Sequence, residues 1–484
     1  MHGLKLGDCV LDRQQVEAVV ACEDAQLVLA SAGSGKTMSL LAKLEYLVLK
    51  LHIRPERILV ISFTKKTVEE LVDRCAISGV EIRTFHSLGL NILRQSGEKC
   101  ELISDAELND FWRSTLMDPC TEIVPDLDGL IALVRSFILL YKNSGKNLQD
   151  ISEQLISNKD KKQLSRAKHF LGIINDVLPK YNNFLRSQKK IDFSDMINLA
   201  TESVESGRVK MSYKYILLDE VQDLSPNRQR LIRAILDNSA GCRLFAVGDD
   251  WQSIYRFAGS DLDLIRNFET FFNRKTKRNL IETTHRFGKP TTKISSDFIE
   301  QNRLQVRKNV RASMHMRTPI SVILSKDASS DVDALDRIIE ILGVEYLSQK
   351  SVQIISRYNH DIERLKSSHI NITPLSNQTY DINWRNTLHF EFCSMHKSKG
   401  ITRDIVIVLN MSSRATGMPA TKPLDPLIDV LLAPEEDFAY AEERRLFYVA
   451  ITRAREQTFL IADAKHPSLF VLEINDELGE IYRK

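Results

Sequence analysis

Leu27-Val28-Leu29-Ala30-Ser31-Ala32-Gly33-Ser34-Gly35-Lys36-Thr37 is an apolar run that breaks into small residues and glycines and ends in Lys-Thr. It reads as a buried strand feeding a phosphate loop and then a helix. Small residues let backbone N–H groups turn inward around an oxyanion, and Lys36 adds a positive charge. Thr37 offers a hydroxyl to Mg²⁺, and the helix aims its N-terminus at the phosphates. The strict pattern G-x-x-x-x-G-K-[ST] has glycine where this chain has Ala30. Taken alone, the stretch is also compatible with a glycine-rich strand-to-helix turn that happens to contain lysine, so the remainder of the chain has to decide between the two.

A chain of 484 residues exceeds one ordinary core, and 43% hydrophobic with 27% charged residues is the composition of a globular protein with two or more domains. The 66 basic and 64 acidic residues nearly cancel to +2, so any nucleic-acid groove must come from local arrangement and not from a global field. Seven cysteines, Cys9, Cys22, Cys75, Cys100, Cys120, Cys242 and Cys393, are scattered without a C-x-x-C pair. That spacing argues for a reducing compartment and against a disulfide framework or zinc site. No run approaches the ~20 apolar residues of a membrane span, and the first residues lack a signal-peptide core; a cytoplasmic enzyme is expected.

Between residues 9 and 95 strands and helices alternate. The pattern predicts helices over 12–21, 36–50 and 67–76, and strands over 58–63 and 80–83, which is parallel α/β. From about 100 to 190 strand signals vanish, and segments such as 130–141 and 161–178 carry apolar residues at helical spacing around the polar turn Asn143-Ser144-Gly145-Lys146. This reads as an all-helical insertion. It carries a basic run, Lys159, Lys161, Lys162, Arg166 and Lys168, then Arg186, Lys189 and Lys190, which is either a solvated helix face or a nucleic-acid contact. Strands resume at 215–219 and 243–248. A second alternating series is expected from 280–284 through strands at 320–324, 352–356, 390–394 and 405–409, a helix over 439–455 and a last strand at 458–462. The fold class is therefore α/β with two parallel-sheet domains. Their expected extents are 1–98, a helical insertion over 99–190, a return to the first domain over 191–277, and a second domain over 278–484. Sites belong at the C-terminal ends of the strands.

Leu217-Leu218-Asp219-Glu220 is an apolar strand ending in two acids, which repel unless a cation or water joins them. After a phosphate loop, the first carboxylate suits Mg²⁺ and the second suits orienting or deprotonating a water. Val247-Gly248-Asp249-Asp250-Trp251-Gln252-Ser253-Ile254-Tyr255-Arg256-Phe257 repeats this logic, with Gln252 placed to sense a γ-phosphate. Tyr255 and Phe257 fit either a core or a base-stacking platform.

Together with Leu11 to Val19, Ser62-Phe63-Thr64-Lys65-Lys66, Arg83-Thr84-Phe85-His86-Ser87, Ile191 to Asp195, Glu282 to Phe287, Ser394 to Gly400 and Ala441 to Arg455, these stretches resemble, in order, the motifs of the superfamily 1 helicases of the UvrD/Rep type. The resemblance implies two RecA-like domains that hydrolyse ATP with Mg²⁺ and move 3′ to 5′ on single-stranded or tailed duplex DNA. It implies nucleotide contacts from Gln15, Ser31, Ala32, Gly33, Ser34, Gly35, Lys36, Thr37, Met38, His285, Arg286, Gly400 and Arg453. Thr37 and Asp219 would hold the metal, and Glu220 would be the base. Gln252 would couple γ-phosphate to DNA, and Arg286 and Arg453 would reach in as arginine fingers. Phe63, Thr64, His86, Tyr255, Phe257 and His396 would line the single-strand channel.

Five positions depart from that pattern: Met38 and His285 replace the adenine-flanking arginine and tyrosine, Thr402 a ribose-binding glutamate, Phe257 a platform tryptophan and Ala258 a platform arginine. The 110 residues between Arg286 and His396 leave no room for the large helical insertion of better-known members. That spacing favours dependence on a partner, including the reading of a helicase-like subunit that serves a nuclease, as in Gabija-type anti-phage systems. The basic clusters Arg274-Lys275, Lys277-Arg278 and Arg307-Lys308 are either solvated surface or duplex contacts, and an RNA substrate remains open on residues alone.

Overall fold

The computed structural model describes residues 5–6, 9–116, 123–124, 126–157, 160–313, 317–326, 330–376, 378–474 and 480–482. The first sheet contains β1 (Ala25–Ala30), β2 (Ile58–Ser62), β3 (Glu81–Thr84), β4 (Tyr215–Leu218), β5 (Arg243–Gly248) and β6 (Thr276–Ile281). They lie side by side in the order β6-β1-β5-β4-β2-β3, all parallel. Parallel strands covered on both faces need continuous apolar sequence, and β1, β2 and β4 are buried at every residue. One face packs Phe85, Leu88, Ile197 and Leu231, and the other packs Leu40, Leu44, Leu47 and Leu71.

The strand expected at 280–284 to open the second series is instead β6, whose Ile281 pairs with Ala30 at the edge of the first sheet. Apolar periodicity identifies a strand without saying which sheet receives it. The helix expected over 36–50 is α-helical for Lys36–Glu45 and continues as a π-helical turn, Tyr46–Lys50. The long helix expected over 439–455 stops at Ile451, because Ala454 already begins the next strand.

The insertion is helical as expected, with helices Asp105–Thr115, Leu127–Ser144, Leu148–Ile156 and Lys161–Ser187. It has its own core of Trp112, Val134, Phe137, Phe170, Ile174 and Tyr181. Gly145 ends the second helix at φ +65°, the left-handed cap that glycine adopts without a Cβ penalty. In the basic run Lys161, Lys162 and Lys168 are exposed, Arg166 and Lys190 are paired with Asp425 and Glu107, and Lys159 lies outside the described residues.

The second sheet comprises β7 (Ile320–Ser325), β8 (Val352–Ser356), β9 (Ile370–Pro374), β10 (Tyr380–Trp384), β11 (Leu388–Ser394), β12 (Arg403–Met411), β13 (Ala454–Asp463) and β14 (Glu480–Tyr482). Its order is β9-β10-β11-β8-β12-β13-β7-β14, parallel except at β9-β10-β11. The expected series of strands passes over β9 and β10, although their alternation of Ile, Tyr and Trp with Asn and Asp is the period-two pattern of strands with one polar face. Among the described residues no helix is long and apolar enough to cross a membrane.

Because the insertion has a separate core, Phe137→Ala is expected to remove about 3–5 kcal/mol of its local stability. Hydrogen exchange should accelerate in Leu127–Ser144 and Lys161–Ser187 while β1 and β5 stay protected. Equal loss in the sheet strands would show that the insertion and the sheet unfold as one unit.

Candidate nucleotide site and nucleic-acid platform

The loop from Ser31 to Thr37 leaves β1 and enters the helix Lys36–Glu45 at Gly35, whose φ is +79°. Gly33 is also left-handed, at +73°, and a Cβ there would stand 2.5 Å from the Cβ of Arg286. Both glycines are therefore required by backbone conformation and close approach. Ser34 Oγ donates to the Ser31 carbonyl at 2.8 Å, which closes the loop on itself. Gln15 Nε2 donates to the Ser34 carbonyl at 3.1 Å, while Gln15 Oε1 accepts from the Asp12 N–H at 2.9 Å. His285 N–H donates to the Gly33 carbonyl at 2.9 Å, and its ring lies 3.9 Å from Asp12. Met38 packs against the cluster of Leu11, Val16, Val19 and Ala42 beside the same pocket.

Lys36 Nζ sits 3.1 and 3.2 Å from the two oxygens of Glu220. Glu220 holds φ +51°, an uncommon conformation for a side chain with a Cβ, and it aims the carboxylate at the lysine. Burial works to raise Glu220, but Lys36, Lys399 and the amide of Gln222 overcome it and hold the acid down at about 2. Asp219 is pushed up to about 7, first by burial and then by the charge of Glu220. The buried Asp219 carboxylate beside the half-buried Glu220, which holds Lys36, is an oxygen donor that a divalent cation fits, with the Thr37 hydroxyl at the start of the helix as a further oxygen ligand.

Asp249, Asp250, Trp251 and Gln252 are all buried at the end of β5. The Asp249 N–H donates to Gln222 Oε1 at 2.9 Å, and its carboxylate accepts from Gln252 Nε2. Gln252 Oε1 in turn accepts from Arg453 at 3.2 Å. Arg286 donates to the Thr452 carbonyl at 3.0 Å, and the Tyr448 hydroxyl accepts from the Ala32 N–H at 3.4 Å. Arg453 is buried and Arg286 is half-buried. Desolvation lowers each one, taking Arg286 to about 9 with help from the neighbouring Arg453. Gly400 turns the chain at φ +83° with no atom within 4 Å of where a Cβ would stand.

Tyr448, Gln222, Lys399 and Lys308 are part of this machinery although residue types alone do not single them out. Lys399 donates to Asp223 at 2.6 Å and to the Gln252 carbonyl at 2.8 Å. Lys308, read from sequence as solvated surface or a duplex contact, is fully buried between Asp249 and Asp250 and lies over the Trp251 ring at 4.7 Å. Lys275, Lys277 and Arg278 are exposed, Arg278 donating to the carbonyls of Ile265 and Arg266, and the half-buried Arg274 donates to the Leu236 carbonyl.

Phe63, Tyr255, Phe257 and His396 converge as a group of rings. Phe63 and Tyr255 are parallel at 6.3 Å, Tyr255 and Phe257 are 6.1 Å apart, and Phe257 meets His396 edge-on at 5.2 Å. The Tyr255 hydroxyl donates to the His396 carbonyl at 3.2 Å, which ties the two domains together at the platform. Thr64 is exposed and caps the helix Lys65–Arg74. His86 stands apart, packed on the exposed Phe193 at 4.6 Å; the latter is a ring that residue type alone does not flag. Burial holds His86 at about 4 and His396 at about 3, with Arg228 assisting at the former and Arg357 and Lys399 at the latter, so both are neutral rings at physiological pH. Phe257 and His396 line a cavity of about 1440 Å³ that Arg357, Tyr358 and Arg166 also border.

The pattern of the UvrD/REP helicase N-terminal domain matches residues 11–273, and that of the UvrD-like helicase C-terminal domain matches 369–465. The chain is similar to DNA helicase IV of Escherichia coli, 30% identical over 95% of this chain and 69% of that protein. It is also similar to the ATP-dependent DNA helicase Rep of Buchnera aphidicola from Schizaphis graminum, 25% identical over 98% of this chain and 68% of the relative. The PcrA helicase of Bacillus subtilis is 28% identical over 62% of this chain and 41% of its own length. With one family pattern covering more than half of its length and these identities behind it, the chain belongs to the UvrD/Rep family of ATP-dependent DNA helicases.

Proposed function

We propose that this helicase hydrolyses ATP with Mg²⁺ in the cleft between its two domains and uses the closure to walk 3′ to 5′ along a single DNA strand. The observation that carries the reading is the convergence on one loop of Lys36 and Glu220 from the first domain with Arg286 and Arg453 from the second-domain side.

Gln15 reads the adenine edge, and Met38 and His285 flank the base. The loop N–H groups of Ser31 to Thr37 and the Lys36 ammonium take the phosphates, which draws Lys36 away from Glu220. Thr37 and Asp219 would hold a magnesium ion, which when bound would supply neutralisation of the phosphate charge. Glu220, released from the lysine, accepts a proton from water as its oxygen bonds to the γ-phosphorus and the bond to the β-phosphate oxygen breaks. Arg286 and Arg453 stabilise the charge on the transferred group, with Gln252 between Arg453 and Asp249. Gly400 lets the backbone approach the nucleotide from the second domain. Phe63, Thr64, His86, Tyr255, Phe257 and His396 carry the strand, with Phe193 beside His86. Each stacked base is worth about 1–3 kcal/mol.

A second reading, that duplex unwinding needs a partner such as a nuclease, is favoured by one observation. Among the described residues 286–396, the chain is spent on the second sheet and its helices and not on a separate domain.

Lys36→Ala and Glu220→Gln are expected to lower DNA-stimulated ATP turnover by at least about 10²–10⁴-fold while the fold persists. Near-normal turnover in either variant would contradict the assignment. For polarity, strand displacement is expected on a duplex with a 3′ tail and absent on one with a 5′ tail. Equal displacement on both would refute the direction. If hydrolysis responds to single-stranded DNA but displacement appears only when a co-purifying nuclease is added, the partner reading holds; displacement by the purified chain alone rejects it.

A further inference from the structure

Between β12 and the helix Ala441–Ile451 the chain leaves the second domain and crosses to the helical insertion of the first. Leu427, Val430, Leu431 and Leu432 are buried in the insertion's own core, in the same cluster as Val134 and Phe137. Arg166, from the basic run, grips Asp425 with both guanidinium nitrogens, at 2.8 and 2.5 Å. Lys146 donates to the carbonyls of Val430 and Leu432 at 2.8 and 3.2 Å. The segment is then tied to the first domain next to the ring platform. Arg256 donates to Asp429 at 2.7 Å and to the Ala433 carbonyl at 2.8 Å, and Arg266 donates to Glu436 at 2.6 Å. It re-enters the second domain where Arg445 holds Glu436, and it left that domain where the Ala420 N–H donates to Glu443 at 2.9 Å.

These contacts close a circuit. The insertion, this segment, the second domain and the Tyr255–His396 bond surround the cavity of about 1440 Å³ on whose wall Phe257 and His396 stand. Of the segment's acids, Asp425, Asp429 and Glu436 are each paired with an arginine of the protein itself, while Glu435 and Asp437 stand exposed on the cavity wall. The docking is apolar at its centre and ionic at its edges, which is the construction of a contact that holds and can release.

We propose that residues 420–438 form a strap that closes the single-strand groove into a channel, so that a bound DNA strand is held by enclosure as well as by stacking. The strap selects substrates by topology: a strand with a free end threads in, and a closed circle enters only while the strap is lifted. This rests on the reading that the rings of Phe257 and His396 carry the strand.

The test uses the full chain with Arg166→Cys and Asp425→Cys. It is loaded on circular or linear single-stranded DNA of one length and then linked by a short bismaleimide, with each single-cysteine variant as control for the native thiols. Linked protein is expected to stay on circles through a high-salt wash at least ten-fold more than on linear DNA, from which a closed ring slides off. Equal release from the two forms, or failure of the two thiols to link, overturns the strap. If the unlinked protein binds neither form, the strand reading itself fails and the strap with it. As a second measurement, Arg166→Asp should speed dissociation from linear single strands several-fold, and adding Asp425→Arg should restore the slow rate. An unchanged rate in Arg166→Asp, or no rescue in the double variant, also overturns the proposal.

Discussion

The pairing of Lys36 with Glu220 is the contact on which the rest of the site depends. It neutralises the only lysine of the phosphate loop with the carboxylate at the end of a strand of the same sheet, and it leaves the half-buried Arg286 and the buried Arg453 without a carboxylate partner of their own among the described ion pairs. Buried like charges are costly without an anion between them. An incoming phosphate chain supplies that anion, and in doing so it competes for Lys36. The same event that satisfies the second domain's arginines thus frees the first domain's carboxylate. Domain closure and activation of the base follow from one redistribution of charge.

That redistribution reaches the platform through a short span of chain. Asp249 is joined by its N–H to Gln222, which also bonds Glu220, and by its carboxylate to Gln252, which bonds Arg453. Lys308 pairs with both Asp249 and Asp250 from within the core, which fixes the span in place. Tyr255 lies three residues beyond Gln252 and is tied to His396 of the second domain. Lys399, three residues past His396, donates back to the Gln252 carbonyl. Under the proposed function, nucleotide and strand contacts would share one hydrogen-bonded segment, 249–257, so that a rotation of one domain on the other would be felt at both.

Much of this is legible in the residues because the chemistry is local. A continuous apolar run before Gly33, and another before Asp219, states a buried parallel strand with a site at its end. The helical insertion shows in its period and in the loss of strand signals. What the residues do not state is long-range. Lys308 reads as surface because lysine usually is, and only the fold shows the two carboxylates that bury it. The strand β6 is legible as a strand yet belongs to the first sheet and not the second, since a period of two carries no address. The hairpin β9-β10 is passed over because its two short alternating runs lack the continuous apolar stretch that marks the buried parallel strands. Phe193 and Tyr448 look like any core aromatic until the structure leaves one exposed beside His86 and sets the other against the phosphate loop.

The near-zero net charge of +2 also acquires a physical account. A protein that holds a polyanion normally advertises an excess of lysine and arginine. Here arginines along the groove are paired with acids of the chain that crosses it, Arg166 with Asp425, Arg256 with Asp429 and Glu435, and Arg266 with Glu436. Such pairing hides the groove from composition while keeping its cations in place. It also means that strand binding relies less on bulk electrostatics than on stacking at Phe63, Tyr255 and Phe257, and on whatever keeps the strand from leaving sideways. In a chain whose second domain spends residues 286–396 on its own sheet, the segment that crosses to the insertion is the part of the fold placed to do that.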